Sequence, residues 1–366
     1  MNICSILPQF GSHADDNNNA KSLTEWTFYR ALKLVSESLG GDSFCFPCSE
    51  GEMIQLGHQV FDHPNIPWPD EDDPIWLIQY NQHIVSDRGY YDKIKEKWPN
   101  SKIVLFGCDV DAWSFLPGPF SGLVDQEAVE NQFWYNDYAN EFKYDLNPTY
   151  DKHQTDGEVF FRGVRNIAWD IDLYIDPLTC MVDDASKRWP SKKIIWNVAS
   201  DVAEEMMNAP KATSKDADAI CMCAPAAEET IRGGMFKHLD AKGFTALRAL
   251  NEHDLENVVN LYSRSRVCIG TSSRAVDHLP RGSKGMRDWI APLCGIPLIY
   301  DDYQEIVDMK IVPTYDYQDW DEIVDLTNSL TMDQELYDDI VKEQKKFSLE
   351  NTLDKQLINI FNEVLF

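Results

Sequence analysis

The chain has 366 residues, of which 43% are hydrophobic, 26% charged and 12% aromatic, a globular composition that excludes a disordered chain and suggests two domains. Its 33 basic and 61 acidic residues give a net charge of −28, which disfavours long-range attraction to nucleic acid or acidic membranes without forbidding a local basic patch. The sequence lacks an apolar run near the roughly 20 residues of a membrane span, a secretory signal, and the second matched cysteine pair of a zinc site, so we expect a cytoplasmic protein with no metal.

Strand and helix patterns alternate along the first half of the chain, which predicts an α/β domain with a parallel sheet covered by helices. A helix is predicted from Ser22 to the glycines Gly40 and Gly41, which favour a helix end. Short apolar runs predict strands at Ile3–Leu7, Ile75–Gln79, Ile103–Phe106, Asp172–Ile175 and Ile194–Val198.

The same alternation restarts after a polar stretch at 205–218, which indicates a domain boundary. We therefore expect an N-terminal acceptor domain at 1–208, a C-terminal donor domain at 209–345, and a final helix at 346–366 that packs on the first domain. Helices are predicted at 228–239, 253–264, 285–294, 318–329 and 332–364. Strands are predicted at Ala219–Cys223, Phe244–Leu250, from Val267, and at Ile296–Ile299.

The most informative segment is Tyr262–Asp301, in which a strand, a long polar loop, a helix and a second strand follow one another. A loop that feeds a helix N-terminus offers free backbone N–H groups and a positive dipole end to a phosphate, and arginines add bidentate donors. The alternative is a solvated surface loop beside a core helix. The candidate donor-binding residues of this segment are Ser272, Arg274, Arg281, Lys284, Gly285, Arg287 and Asp288.

The segment carries neither the glycine-lysine loop of the nucleoside triphosphatases nor the glycine fingerprint of dehydrogenases, so both classes are disfavoured. It resembles the donor half of the GT-B glycosyltransferases and, more narrowly, the phage hydroxymethyl-pyrimidine DNA glycosyltransferases. The resemblance rests on Ile269-Gly270 at a strand end and on Arg287-Asp288-Trp289-Ile290. It implies that Arg287 contacts a nucleotide diphosphate. Ile290 stands where the family has a glutamate that holds the ribose, so Asp288 or another acid would replace it.

A second match lies in the first half, where Ser101–Asp109 resembles the family's strand that ends in an aspartate. The resemblance implies that Asp109 is the general base, with Asp111 as its neighbour. The chemistry is consistent, because a sugar hydroxyl has a high pKa and a carboxylate at a strand end would take its proton during attack. The alternative is that Asp109 caps a turn.

Two weaker matches complete the expected site. Arg232 is the nearest equivalent of the family's phosphate-binding arginines, and the first loop, with Gly11 and His13, would face the same cleft. The resemblance thus implies a GT-B fold, with two Rossmann-like domains facing a central cleft. It also implies a nucleotide-sugar donor, expected to be a UDP-sugar, no obligatory metal, and a monomer.

Basic residues in two clusters stand out against the acidic background. With Trp189 between the members of the second cluster, they suit a phosphate backbone, although the polar face of a helix explains them equally. These candidate DNA contacts are Arg162, Arg165, Lys187, Arg188, Lys192 and Lys193.

Three functions follow. The first is transfer of a sugar to a hydroxymethylated pyrimidine in phage DNA, which would require the base to leave the stack. The second is a GT-B glycosyltransferase that acts on a glycan, lipid or small molecule, which the net charge of −28 favours. The third is a non-catalytic nucleotide-binding protein, for which Ile290 in place of the family's glutamate is the best support.

Overall fold

The structure, a computed structural model, consists of two compact units, each with its own parallel sheet. The residues it describes are 1–7, 23–47, 56–66, 68–69, 73–79, 82–85, 87–107, 167–177, 179–221, 231–248, 254–271, 273–276, 279–281, 286–302, 304–316 and 319–366. Of these, 1–107, 167–195 and 353–366 form the first unit and 196–352 the second. No helix within these ranges is both long and apolar enough to cross a bilayer.

The first unit is built on a six-stranded sheet in the order β2-β1-β3-β4-β5-β6, and all of its neighbouring strands are parallel. Its strands are β1 (Ile3–Leu7), β2 (Ser43–Pro47), β3 (Ile75–Gln79), β4 (Lys102–Phe106), β5 (Leu173–Asp176) and β6 (Ser191–Lys193). Its helices are α1 (Leu23–Ser38), α2 (Gln82–Val85), α3 (Arg88–Lys97), α4 (Thr179–Ala185) and the C-terminal α12 (Leu353–Val364), with a 3₁₀ helix at Gly57–Asp62.

Helices cover both faces of this sheet, as an all-parallel sheet requires. On one face, Phe28 of α1 stacks on Phe106 of β4, and α12 packs against α1. On the other face, Tyr90 and Ile94 of α3 join Trp76 in one apolar cluster. α1 ends where Gly40 adopts a φ of +71°, a left-handed conformation that glycine reaches without steric cost.

The second unit is built on a five-stranded parallel sheet in the order β13-β12-β9-β7-β8, with an antiparallel hairpin, β10–β11. Its strands are β7 (Ala217–Ile220), β8 (Ala246–Leu247), β9 (Ser265–Gly270), β10 (Ser273–Val276), β11 (Leu279–Arg281), β12 (Leu298–Asp301) and β13 (Thr314–Tyr315). Its helices are α5 (Ser200–Asn208), α6 (Ile231–Ala241), α7 (Leu255–Ser263), α8 (Met286–Trp289), α9 (Gln304–Val307), α10 (Asp321–Met332) and α11 (Gln334–Glu350), with a 3₁₀ helix at Pro292–Cys294.

Three predicted elements are wrong in detail. The apolar run 194–198 is not a strand; Ile195 exchanges its backbone hydrogen bonds with the Gln356 side chain instead of a neighbouring strand. The helix expected at 332–364 is two helices, because it breaks at Asn351, whose carbonyl accepts from Asn197. The helix expected at 285–294 stops at Trp289 and resumes as the 3₁₀ turn.

Candidate functional site

The carboxyl end of the first unit's sheet holds a buried acid that sequence reasoning missed. Asp176, the last residue of β5, is only 4% exposed, and its Oδ2 accepts a hydrogen bond from the fully buried Tyr174 hydroxyl at 2.7 Å. Both side chains lie on the same face of β5, because they are two residues apart in one strand. A buried carboxylate is costly unless it is hydrogen-bonded, so Tyr174 lowers the cost of keeping Asp176 there.

Gly107, which directly follows β4, packs against this carboxylate. Its backbone N–H donates to Ile175 O at 2.7 Å, and a Cβ added to it would lie 1.7 Å from Asp176 Oδ2. Any other residue would clash, so the sequence needs glycine at this position. Asp109 and Asp111, the predicted base and its neighbour, follow Gly107 by two and four positions and lie outside the described residues.

In the second unit, too, a glycine at the end of a strand packs against a large side chain of the next strand. Gly270, the last residue of β9, lies opposite Tyr300 of β12, and a Cβ on Gly270 would come within 2.1 Å of the Tyr300 ring. The carbonyl of Gly270 accepts a hydrogen bond from the Tyr315 hydroxyl at 2.9 Å. The strand end that leads into the predicted phosphate loop is therefore contacted by a side chain of the adjacent β12 and by one of β13, the next strand beyond it.

Most of the predicted donor ligands that the structure describes lie on the elements that follow the end of β9, and Arg232 lies after β7. Arg274 lies in β10 and Arg281 in β11, where Ser273 pairs with Arg281 across the hairpin. Arg287 and Asp288 are the second and third residues of α8, and the Asp288 side chain is half-buried. Arg232 is the second residue of α6, the helix that follows β7. Ser272, Lys284, Gly285 and Gly11 lie outside the described residues, as does His13.

Ile290, for which the predicted resemblance implies a glutamate, is fully buried. Position 290 is thus part of the apolar core, and Asp288 is the acid of α8 itself.

The short helix α8 is anchored to the long helix α11 by packing and by hydrogen bonds. The Trp289 ring is fully buried and lies 4.8 Å from the Phe347 ring. Ser348 Oγ donates to the Trp289 carbonyl at 3.0 Å, and Asn197 Nδ2 donates to the Ser348 carbonyl at 2.8 Å. These contacts fix the backbone of α8 at Trp289, two positions after Arg287.

Three of the residues predicted to bind DNA contact other residues of the first unit. Lys192 pairs with Glu363 of α12, and Lys193 donates to Thr179 Oγ1 at 2.8 Å. The Arg188 guanidinium lies 4.0 Å from the centre of the Trp189 ring and donates to a backbone carbonyl. Lys187 is exposed, and Arg162 and Arg165 lie outside the described residues.

No group of three His, Cys, Asp or Glu side chains that could hold a metal ion occurs in the described part of the chain. Cys4, Cys45, Cys221, Cys268 and Cys294 are free thiols, and burial raises the pKa of Cys45 and of Cys294 to about 12. Thiols of this kind are inert core residues rather than nucleophiles.

Comparison with solved structures accounts for the two-sheet architecture. A structure of trehalose-6-phosphate synthase OtsA matches with a TM-score of 0.52 at 11% identity, over 99% of this chain and 98% of that chain. An apo structure of OtsA matches with a TM-score of 0.55 at 10% identity, over the same shares of the two chains. The chain has the GT-B fold. The predicted fold class is therefore confirmed, whereas the narrower resemblance to DNA glycosyltransferases stays a prediction.

The likeness is one of fold and not of sequence. No protein-family model matches the chain, and comparison with curated protein sequences finds no match. The GT-B fold and the residues at the strand ends are therefore the observations that bear on function.

Proposed function

We propose that this protein is a glycosyltransferase that moves a sugar from a nucleotide-sugar, expected to be a UDP-sugar, to a hydroxyl group. The observation that carries the proposal is the end of β9 in a GT-B fold, where a rigidly held strand runs directly into the arginine-bearing hairpin and α8. In open α/β sheets, ligands bind at the carboxyl ends of the strands.

The proposed roles follow from the charge that develops when the sugar leaves. As the bond between the anomeric carbon and the diphosphate breaks, negative charge grows on the diphosphate oxygens, and fixed cations there stabilise the transition state. Arg232, Arg281, Lys284 and Arg287 are assigned this role. They take the place of a divalent metal, so no metal is required. Asp109 is assigned as the base for the acceptor hydroxyl.

The acceptor that the observations favour is a small hydroxylated molecule or glycan. The two matched structures are named for a synthase of trehalose-6-phosphate, a phosphorylated disaccharide, which supports a sugar-like acceptor. The contacts of Lys192 with Glu363 and of Lys193 with Thr179 engage two of the cations that were predicted to contact a phosphate backbone.

Hydroxymethylated DNA is the second candidate acceptor. It is supported by the exposed Lys187 beside the stacked Arg188 and Trp189, since a basic group next to an aromatic ring suits a nucleic-acid strand. A third possibility, nucleotide binding without catalysis, predicts donor binding but no turnover.

The test is a panel of UDP-, GDP- and ADP-sugars, with binding measured by calorimetry and turnover by release of the nucleoside diphosphate. We expect one donor to bind and Arg287→Ala to weaken it by tenfold or more. The matched control is Arg264→Ala, because Arg264 pairs with the exposed Asp216 at the amino ends of β7 and β9. Failure of every nucleotide-sugar to bind would refute the proposal.

The same assay separates the acceptors and the base. Transfer to a sugar panel but not to hydroxymethylcytosine DNA selects the small acceptor, and a salt-sensitive gel shift with transfer selects DNA. Asp109→Asn should lose turnover while donor binding is retained; unaltered turnover would remove Asp109 from the mechanism.

A further inference from the structure

His58 and Asp87 form a hydrogen-bonded pair in the first unit that the proposed mechanism does not use. His58 Nε2 and Asp87 Oδ2 are 2.9 Å apart, and the two side chains are 38% and 48% exposed. His58 lies in the 3₁₀ helix at Gly57–Asp62, and Asp87 is the N-cap of α3. The pair therefore joins two elements, and its imidazole is accessible from solvent.

Each partner is held by further contacts. Asp87 Oδ1 accepts the Gly89 backbone N–H at 2.8 Å, and the Asp87 carbonyl accepts the Trp169 indole N–H at 3.0 Å. The Gly89 N–H, together with His58, holds the pKa of Asp87 below its usual value, so Asp87 stays ionised. The His58 ring meets the edge of the buried Tyr90 ring at a centroid distance of 4.6 Å.

Gly89 makes room for the imidazole. A Cβ on Gly89 would lie 2.0 Å from His58 Cε1, so only glycine fits in the first turn of α3 beside this ring. Glycine is a poor helix former, so its presence at this position accompanies the placement of the ring.

The pair lies toward the carboxyl ends of the strands, on the same face of the sheet as Asp176. α3 connects the end of β3 to the start of β4, so its N-terminus is at the carboxyl edge. Its other end is at the amino edge, where Asn100 bonds Asp73 just before β4 and β3. Tyr90 of α3 and Tyr174 of β5 belong to one apolar cluster, which places α3 and Asp176 on one face.

The hydrogen-bond pattern selects one tautomer of the imidazole. Because ionised Asp87 can only accept, His58 Nε2 carries the proton, and the lone pair is on Nδ1. Nδ1 has no hydrogen-bond partner among the described residues. The neighbouring charges are compensated: Arg88 pairs with Asp92 and Asp170, and Lys93 pairs with Asp62. The lone pair on Nδ1 is the atom of this pair that can accept a hydroxyl proton.

We infer that His58 is a proton acceptor for the hydroxyl of the sugar-like acceptor, with Asp87 as the carboxylate that orients it. In this step the acceptor oxygen bonds to the anomeric carbon as the bond from that carbon to the diphosphate oxygen breaks. The hydroxyl proton moves to His58 Nδ1, the nucleoside diphosphate leaves, and the imidazolium ion beside Asp87 later releases its proton to water. The inference rests on the proposed function and gives His58 the proton-acceptor role assigned there to Asp109, so the two assignments are alternatives. Turnover kept in Asp109→Asn and lost in His58→Gln supports His58, and the reverse result overturns the inference.

The decisive experiment is the pH–rate profile of the full chain and of His58→Gln, measured with the donor and acceptor that the panel identifies. Imidazoles change charge between pH 5 and 8, so we expect activity of the unaltered chain to fall on the acidic side of this range. His58→Gln should lower kcat by at least a hundredfold, the usual minimum for a lost general base, and abolish that acidic limb with little change in the donor's KM. Asp87→Asn should lower kcat less.

The matched control is His63→Gln, since His63 lies one residue beyond the same 3₁₀ helix, where its Nδ1 accepts the Asn65 backbone N–H. A second readout is the NMR signal of the His58 ring protons at constant pH, which should move when the acceptor is added. An acidic limb in His58→Gln identical to that of the unaltered chain, or ring-proton signals that do not change when the acceptor is added, would overturn the inference. The proposed function would still stand if a nucleotide-sugar binds. If no nucleotide-sugar binds, the proposed function and the inference about His58 are both refuted.

Discussion

Gly107 and Asp176 are interlocked at the ends of β4 and β5: a Cβ on Gly107 would lie 1.7 Å from one carboxylate oxygen and 2.9 Å from the Tyr174 hydroxyl. Position 107 therefore requires glycine because Asp176 lies against it. Asp176 is also next to the point where the segment that carries Asp109 begins. The same edge carries His58 and Asp87 at the N-terminus of α3.

Gly107→Ala should destabilise the first unit by about 1–3 kcal/mol, the usual cost of overpacking a buried site. In the background of Asp176→Ala, which removes the clashing carboxylate, the same change should cost much less. Urea unfolding of the two single variants and the double variant measures this coupling. Additive effects would show that Gly107 is not constrained by Asp176.

Ser348→Ala should cost about 1–2 kcal/mol, because it leaves the buried Trp289 carbonyl without its donor. If α8 presents donor ligands, the variant should also weaken nucleotide-sugar binding while the far-UV spectrum is unchanged. Ser329→Ala, an exposed serine on α10, is the matched control. Equal donor affinity in both variants would separate the anchoring of α8 from donor binding.

Gln344→Met should destabilise the second unit by about 3 kcal/mol or more. The fully buried Gln344 side chain bonds the backbone N–H and carbonyl of Leu298 and the carbonyl of Ile311, and each group left unpaired costs about 1–3 kcal/mol. Gln334→Met, at the exposed start of the same helix, should be nearly neutral. Denaturation midpoints of the two variants test the difference.

Asp321 should make the stability of the second unit depend on pH. Hydrogen bonds from His238 and Lys242 hold the pKa of Asp321 below its usual value. A lowered folded-state pKa means that the stabilisation is complete above about pH 4, the value of an unfolded aspartate, and is lost as the pH falls through the folded value. Asp321→Asn should flatten the decline of the urea midpoint below about pH 4, and Asp325→Asn, a change of an exposed acid on the same helix, is the control.

Sequence periodicity predicted the elements whose hydrogen bonds are local or follow a regular ladder. Ile75–Gln79 is a strand as predicted, and α1 ends at the predicted glycines. The apolar run 194–198 looked like a strand, but a glutamine 161 positions away takes its backbone bonds. Residue pattern alone does not show such a distant partner.

The sites follow the same division. The arginine-rich segment after β9 was recognisable because its residues are neighbours in sequence. Asp176 gave no signal, because its importance comes from Tyr174 and from the end of another strand. His58 and Asp87 are 29 positions apart in sequence, and only folding brings them within a hydrogen bond. β2 was missed because Ser43–Pro47 mixes polar, aromatic and proline residues.

The C-terminal helix α12 has a consequence for biosynthesis. Its Leu357, Ile360 and Phe361 are buried within the first unit, and its Gln356 satisfies the backbone of Ile195. A ribosome therefore delivers the whole of the second unit before it delivers the piece that completes the first. Until Leu353–Val364 has been translated, the surface of α1 that α12 covers in the folded first unit stays exposed to solvent.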